Sequence, residues 1–197
     1  MKKRIAFFDF DGTITTKDSF LEIIKYCKGS ARFYMGFILN APFIIAWKAG
    51  LISNQAAKER MMQYFFGRMT QERFNEMSNQ FSATALPSLV RPKALLEIKK
   101  LLAAGTEVVI VSASAENWLQ HWCQTNGVQL LGTKLAVKEG RITGKIENRN
   151  CHGQEKVARI RQAYDLSAYD EILGYGDTKG DKPMLELATF SFYKPFR

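Results

Sequence analysis

The sequence predicts an α/β fold: a mostly parallel sheet sandwiched by helices, with a helical segment inserted near its start. Three observations carry that expectation. Short apolar runs at 5–8, 107–111, 171–174 and 190–193 read as buried strands, and they alternate with stretches at 95–104, 116–125 and 155–164 where apolar residues recur at helical spacing. Such alternation is the pattern of parallel strands joined by crossover helices, with both sheet faces covered. Acidic turns follow the runs at 5–8 and 171–174, where a parallel sheet gathers functional groups at the carboxyl ends of its strands. Residues 17–91 then break the rhythm with helix-like segments and no convincing strand.

A chain of 197 residues with 46% hydrophobic and 24% charged residues suits one domain, or a core with a modest insertion, and lies outside disordered and collagen-like compositions. The formal net charge of +9 favours anionic partners, without choosing among phosphorylated metabolites, lipid surfaces and nucleic acid. More than half of the excess falls in 17–91, which holds ten Lys or Arg against five acids. Cys27, Cys123 and Cys151 lack C-x-x-C spacing, which leads us to expect reduced thiols in a cytoplasmic protein. The basic start at Met1-Lys2-Lys3-Arg4 is followed by an apolar run cut by Asp9 and Asp11, so no export signal is read.

The first strand gives out into Asp9-Phe10-Asp11-Gly12-Thr13. Two carboxylates one residue apart, before a glycine that permits a sharp turn, are suited to binding a hard cation and attacking phosphorus. A nucleophilic Asp needs a cation to lower repulsion from the phosphate, and a second acid to protonate the leaving oxygen. Asp9 and Asp11 can divide those tasks, with the Asp11 side chain facing the leaving group. After the strand at 107–111, Ser112-Ala113-Ser114 offers a hydroxyl and free amides to a phosphate, or else a helix cap.

Trp118 and Trp122, at helical spacing, are expected in the core, and His121 and His152, without ligand spacing, are expected to be structural. The stretch 134–145, with Gly140 at its turn, reads as a hairpin. Lys156 lies one turn into a helix beginning near Gly153, where an ammonium would neutralise a phosphoryl group. Finally Gly174-Tyr175-Gly176-Asp177-Thr178-Lys179-Gly180-Asp181 places two acids four apart around a glycine-rich turn, both able to serve a metal.

Taken in order, these four sites make the chain resemble the haloacid dehalogenase superfamily of phosphatases, in the branch that includes phosphoserine phosphatase. The resemblance implies a Rossmann-like core from 1–16 and 92–197 with a helical cap at 17–91. It also implies a magnesium-dependent phosphomonoester hydrolase working through a phospho-aspartate. Asp9 would then be the nucleophile, and Asp11 the general acid whose backbone carbonyl also binds magnesium. Asp177 would complete the metal ligands with Asp181 assisting, and Ser112, Lys156 and Thr13 would contact the phosphate. Asp18 is similar in position to the acid that binds the substrate ammonium in phosphoserine phosphatase; it could equally cap the first inserted helix with Ser19.

The run at 33–47, bounded by Arg32 and Lys48, is apolar but interrupted by Asn40 and Pro42, and shorter than the ~20 residues of a spanning helix. It reads either as a buried helical hairpin or as a surface dipping into a bilayer with its basic flanks on headgroups. The runs 151–158 and 174–183 are similar to dehalogenase-type phosphatidylglycerophosphatases, which implies a phospholipid headgroup phosphate as substrate and peripheral contact at the inner face of the cytoplasmic membrane. A small soluble phosphate such as phosphoserine, its carboxylate met by Arg60, Arg68 or Arg73, is the alternative enzyme reading. A non-catalytic membrane or nucleic-acid binding module is the alternative outside the enzymes, and no nucleic acid is expected as partner.

Overall fold

The computed structural model describes residues 2–197. The first strand, β1 (Arg4–Phe8), is followed by five inserted helices: α1 (Ser19–Lys28), α2 (Ser30–Leu39), α3 (Ala41–Lys48), α4 (Asn54–Phe66) and α5 (Gln71–Thr84). The alternating part comprises α6 (Pro92–Ala103), β2 (Glu107–Ala115), α7 (Glu116–Thr125) and β3 (Gln129–Thr133). A hairpin of β4 (Leu135–Lys138) and β5 (Arg141–Ile146) leads into α8 (Gln154–Ala163), β6 (Glu171–Gly176), α9 (Lys182–Leu185) and β7 (Phe190–Tyr193).

Five of these strands form one sheet in the order β3-β2-β1-β6-β7, and every pairing in it is parallel. The central strand is buried on both faces, as its unbroken apolar sequence requires. Ala6 and Phe8 join a core that extends under the inserted helices, and Ile5 and Phe7 join the cluster beneath α8. Phe8 stands opposite Ile110 on one side and Tyr175 on the other. The segments after all three strands therefore emerge side by side at one edge, and Asp9 prolongs the ladder by donating its amide to Tyr175 O at 2.9 Å.

Two expectations change at the sheet's margins. The strand β3 was not among those read from the sequence; it is an edge strand whose outer residues are only part-buried, so it lacks the apolar run that marks the centre. The strand at 190–193 exists with the expected bounds, yet all four of its residues are exposed, because it borders β6 on one side only.

The hairpin forms as expected, and its partners are the inserted helices. Ile142 and Arg68 exchange backbone bonds with Met69 and Ile142 at 2.8 and 2.9 Å, and Gln71 donates to Gly140 O at 2.8 Å. The Glu59 carboxylate of α4 accepts from the Ile146 amide at 3.1 Å and pairs with Lys145. The run at 33–47 folds into two helices that turn at Asn40, the residue that interrupts it. The Asn40 side chain is buried, donates to Gly36 O at 2.8 Å and accepts from Arg60 at 3.2 Å, while Pro42 opens α3 where no amide donor is needed. At Gly36 a Cβ would stand 2.2 Å from Phe65 Cζ, so glycine sets how closely α2 approaches α4.

Candidate active site

The carboxyl ends of β1, β2 and β6 bring the sequence-derived site residues to one place. Asp9 follows β1 directly, and its Oδ1 accepts from Lys156 Nζ at 2.6 Å. Lys156 reaches in from the first turn of α8, fully buried, and also donates to Asp181 Oδ1 at 2.7 Å. Burial alone would lower its pKa, but the Asp9 and Asp181 charges outweigh this and raise it, so it stays an ammonium. Asp181 is held below the usual carboxylate range despite its burial, because Lys156 and the Thr178 donors favour the charged form. Its Oδ2 accepts from Thr178 Oγ1 at 2.7 Å and from the amides of Thr178 and Asp177 at 2.9 and 3.2 Å.

Asp177, at the end of β6, has fewer compensating partners. Burial and the nearby Asp181 raise its carboxyl, against the pull of the Arg197 guanidinium, which donates to Oδ2. Thr13 is buried between the two acids, its hydroxyl 3.1 Å from Asp9 Oδ2 and 3.2 Å from Asp177 Oδ1. It braces the carboxylates and does not line the cavity. Gly12 makes the approach possible: its φ is +86°, and a Cβ there would lie 2.6 Å from Asp177 Oδ2.

Oxygens of Asp9, Asp177 and Asp181 lie within 4.8 Å of one another, all three residues being buried. Hard oxygen donors bearing three formal negative charges, with Lys156 engaged by Asp9 and Asp181, fit a divalent cation such as magnesium. The Asp11 carboxylate is outside this cluster. It faces the opposite way, accepting from the Ser19 amide at 2.6 Å through Oδ1 and from Ser114 Oγ at 2.6 Å through Oδ2.

Those contacts belong to a chain that continues to Trp118. Trp118 Nε1, a donor only, bonds Ser19 Oγ at 3.1 Å, and Ser19 Oγ lies 3.0 Å from Ser114 Oγ. While Asp11 is ionised it takes the Ser114 proton, which leaves the Ser19 proton for Ser114, so that every link then runs toward the carboxylate. The sequence reading chose Ser112 from this segment. Ser112 is buried within β2 and accepts the Ser114 amide at 3.0 Å; it caps no helix, since β2 runs on to Ala115. Nothing in the spacing singled out Ser19 or Ser114, whose role depends on three separate elements meeting.

Above the carboxylates lies a cavity of ≈ 770 Å³. Its floor is Asp9, Asp11 and Lys156, and its wall on the side of the inserted helices is apolar, including Phe20, Phe37, Ile44, Trp47 and Met61. Lys58 of α4 lines it too, donating to Ala113 O at 2.5 Å; burial lowers its pKa against the opposing pull of Asp18 and Asp11. This lysine had no motif to mark it. Asp18 borders the same cavity while capping α1, its Oδ1 accepting the Leu21 amide at 3.1 Å. Water reaches Asp18, yet the protein around it and the Asp11 charge raise its carboxyl to about 6.

His152 also lines the cavity, packed over Gly180, whereas His121 is exposed on α7. Trp118 and Trp122 are core residues, and the three cysteines are free. Arg60, Arg68 and Arg73 do not line the cavity: Arg60 serves Asn40, the Arg68 carbonyl accepts from Arg141, and Arg73 pairs with Glu76 on the surface.

Residues 6–186 match the family model described as haloacid dehalogenase-like hydrolase. Protein CicA of Caulobacter vibrioides is 34% identical over 192 residues, 96% of this chain and 85% of its own. A probable phosphatase of Mycobacterium tuberculosis is 27% identical over 190 residues, 92% of this chain and 65% of its own. Among solved structures, a protein of unknown function from Bordetella pertussis superposes with a TM-score of 0.85 at 22% identity, over 97% of this chain and 89% of that one. A phospho-aspartyl intermediate analogue of phosphoserine phosphatase superposes with a TM-score of 0.61 at 19% identity, over 97% and 86%.

Proposed function

Since the chain belongs to the haloacid dehalogenase-like hydrolases and is a phosphatase among them, we propose that it cleaves phosphomonoesters through a phospho-aspartate on Asp9, with magnesium as cofactor. The carrying observation is the 2.6 Å contact of Lys156 with Asp9 on the floor of a cavity large enough for an ester. A carboxylate whose ionised form a buried ammonium favours against the effect of burial, and which is open to the cavity on its other side, is placed to attack phosphorus. Asp9 forms the new P–O bond as the bond to the alcohol breaks, and Asp11 gives its proton to the departing oxygen. Water then attacks the phospho-aspartate, returning a proton to Asp11 and freeing phosphate and Asp9.

Lys156 and the Ser112 hydroxyl hold the phosphoryl oxygens. Magnesium, held by Asp9, Asp177 and the Asp11 carbonyl, would draw charge from those oxygens. Asp181 orients Lys156 and the 177–178 turn through the bonds described above, and Thr13 keeps Asp9 and Asp177 apart at bonding distance.

The apolar wall bears on the substrate. A small, wholly polar alcohol leaves Phe37, Ile44 and Trp47 without a partner, whereas an ester with an apolar portion, such as a lipid headgroup phosphate, covers them. Hydrolysis of p-nitrophenyl phosphate that stops on chelation and in Asp9→Asn tests the chemistry; activity surviving that substitution in pure enzyme rejects it. A panel of phosphatidylglycerophosphate in vesicles, phosphoserine, sugar phosphates and nucleotides tests the substrate class, and preference for the soluble esters removes the lipid reading.

A further inference from the structure

The paired helices α2 and α3 leave a broad run of apolar side chains uncovered. Ile38 and Leu39 on α2 and Ile45 on α3 are 73, 59 and 66% exposed, and Leu51, just beyond α3, is 79% exposed. Tyr34 and Met35 share the outer side of α2 with Ile38 by helical spacing, while Phe33 and Gly36 face inward. In α3 no residue is buried at all. This face is unlike an ordinary solvated helix, and its fixed anchorage through Gly36 and Asn40 means it is presented in one orientation.

The charge around it is one-sided. From residue 23 to residue 58 the chain has no Asp or Glu; of its bases, Lys28, Arg32 and Lys48 lie on or beside the two helices, while Lys25 pairs with Glu22 at 3.5 Å and Lys58 turns into the cavity. Trp47 ties the two surfaces together: it lines the cavity above Asp9 and is also 40% exposed outside. Apolar side chains with aromatic residues and basic flanks complement an anionic lipid surface, where the apolar groups enter the acyl boundary and the cations meet headgroups. Neither helix is near the length needed to cross a bilayer, and among the described residues no helix is long and apolar enough to do so.

We propose that the outer face of α2 and α3 docks onto anionic bilayers, lying in the interface with the mouth of the cavity beside Trp47 turned to the lipid. In linking this surface to the substrate the inference rests on the phosphomonoesterase reading, and the test separates the two. The full chain is sedimented with vesicles of phosphatidylcholine alone and of phosphatidylcholine mixed equally with phosphatidylglycerol, and its hydrolysis of p-nitrophenyl phosphate is followed in parallel. Expected is binding to the mixed vesicles that weakens as salt is raised, with little binding to phosphatidylcholine alone. The double variant Ile38→Glu/Ile45→Glu, at exposed positions outside the cavity, binds at least about tenfold more weakly with aryl phosphate turnover unchanged. Leu51→Glu serves as a second variant with the same expectation.

Turnover without binding to the mixed vesicles overturns the docking surface and leaves the catalytic reading intact. Binding that survives both variants, or that is equal on the two vesicle types, overturns it as well. A concentration-dependent dimer lost in the double variant, without vesicle binding, assigns the face to a second copy and overturns the lipid partner. Vesicle binding with no turnover of any phosphate upholds the surface and removes the catalytic reading.

Discussion

The Lys156 ammonium lies 2.6 Å from Asp9 Oδ1, with Lys156 fully buried and Asp9 buried except where it meets the cavity. Removing one partner of such a pair leaves a buried charge without compensation. Lys156→Met, which strands both Asp9 and Asp181, is expected to cost about 3–5 kcal/mol of stability in metal-free urea unfolding, and to abolish turnover. Adding Asp9→Asn to Lys156→Met should restore part of that stability though not activity. A double variant no more stable than the single one would show that the pair is not coupled.

The donor chain from Trp118 through Ser19 and Ser114 ends on Asp11, which makes Ser114 a positioning residue for the proposed acid. Leaving-group chemistry distinguishes that role from a structural one. Ser114→Ala should lower kcat/KM for an alkyl phosphate, whose alkoxide needs a proton, by about tenfold or more. For p-nitrophenyl phosphate, which departs without much help, the loss should be far smaller. Equal losses on the two substrates would mean that Ser114 only packs.

Burial, opposed by Lys156 and assisted by Asp181, raises the Asp9 carboxyl from 3.8 to about 7, and Asp177 is raised as well. A carboxyl whose folded pKa is raised binds its proton more tightly when folded. The stability it contributes is therefore complete below 3.8 and lost as the pH climbs through about 7. Magnesium favours the ionised form and offsets that loss. Its gain in Tm should thus be larger at about pH 8 than at about pH 5. Asp177→Asn should raise the metal-free Tm at the higher pH and shrink the magnesium response; a response independent of pH would contradict the assignment of these acids as ligands.

Lys58 reaches across from α4 to the Ala113 carbonyl at 2.5 Å, so an ammonium from the inserted helices borders the cavity next to β2. An anionic ester can take up its remaining donors. Lys58→Met is expected to raise KM by about tenfold with a smaller change in kcat, in steady-state kinetics on the preferred substrate. A fall in kcat with KM unchanged would place Lys58 in the chemistry instead.

The four short motifs around Asp9, Ser112, Lys156 and Asp177 were legible because each follows an apolar strand or opens a helix, and a parallel sheet of any detail brings those ends together. The central strand was equally plain: residues 5–8 are apolar without interruption because both faces of β1 are covered. Edges were harder. Residues 129–133, with one neighbouring strand and part-buried outer positions, carry little of the burial that marks a central strand, and 190–193, legible as a strand with its bounds, is exposed where its apolar sequence suggests burial.

What the amino-acid sequence determined by itself was therefore the alternating order of elements, the place where acids collect, and the helical nature of 17–91, since these rest on local periodicity and on chemistry confined to a few neighbouring residues. Only the tertiary structure decided that Ser19, Ser114 and Trp118 act on Asp11, that Lys58 borders the cavity, and that the apolar run at 33–47 turns at Asn40 with one side packed and the other bare. Each of those facts is a meeting of segments far apart in the chain, and no spacing along the chain encodes which faces of two helices will touch.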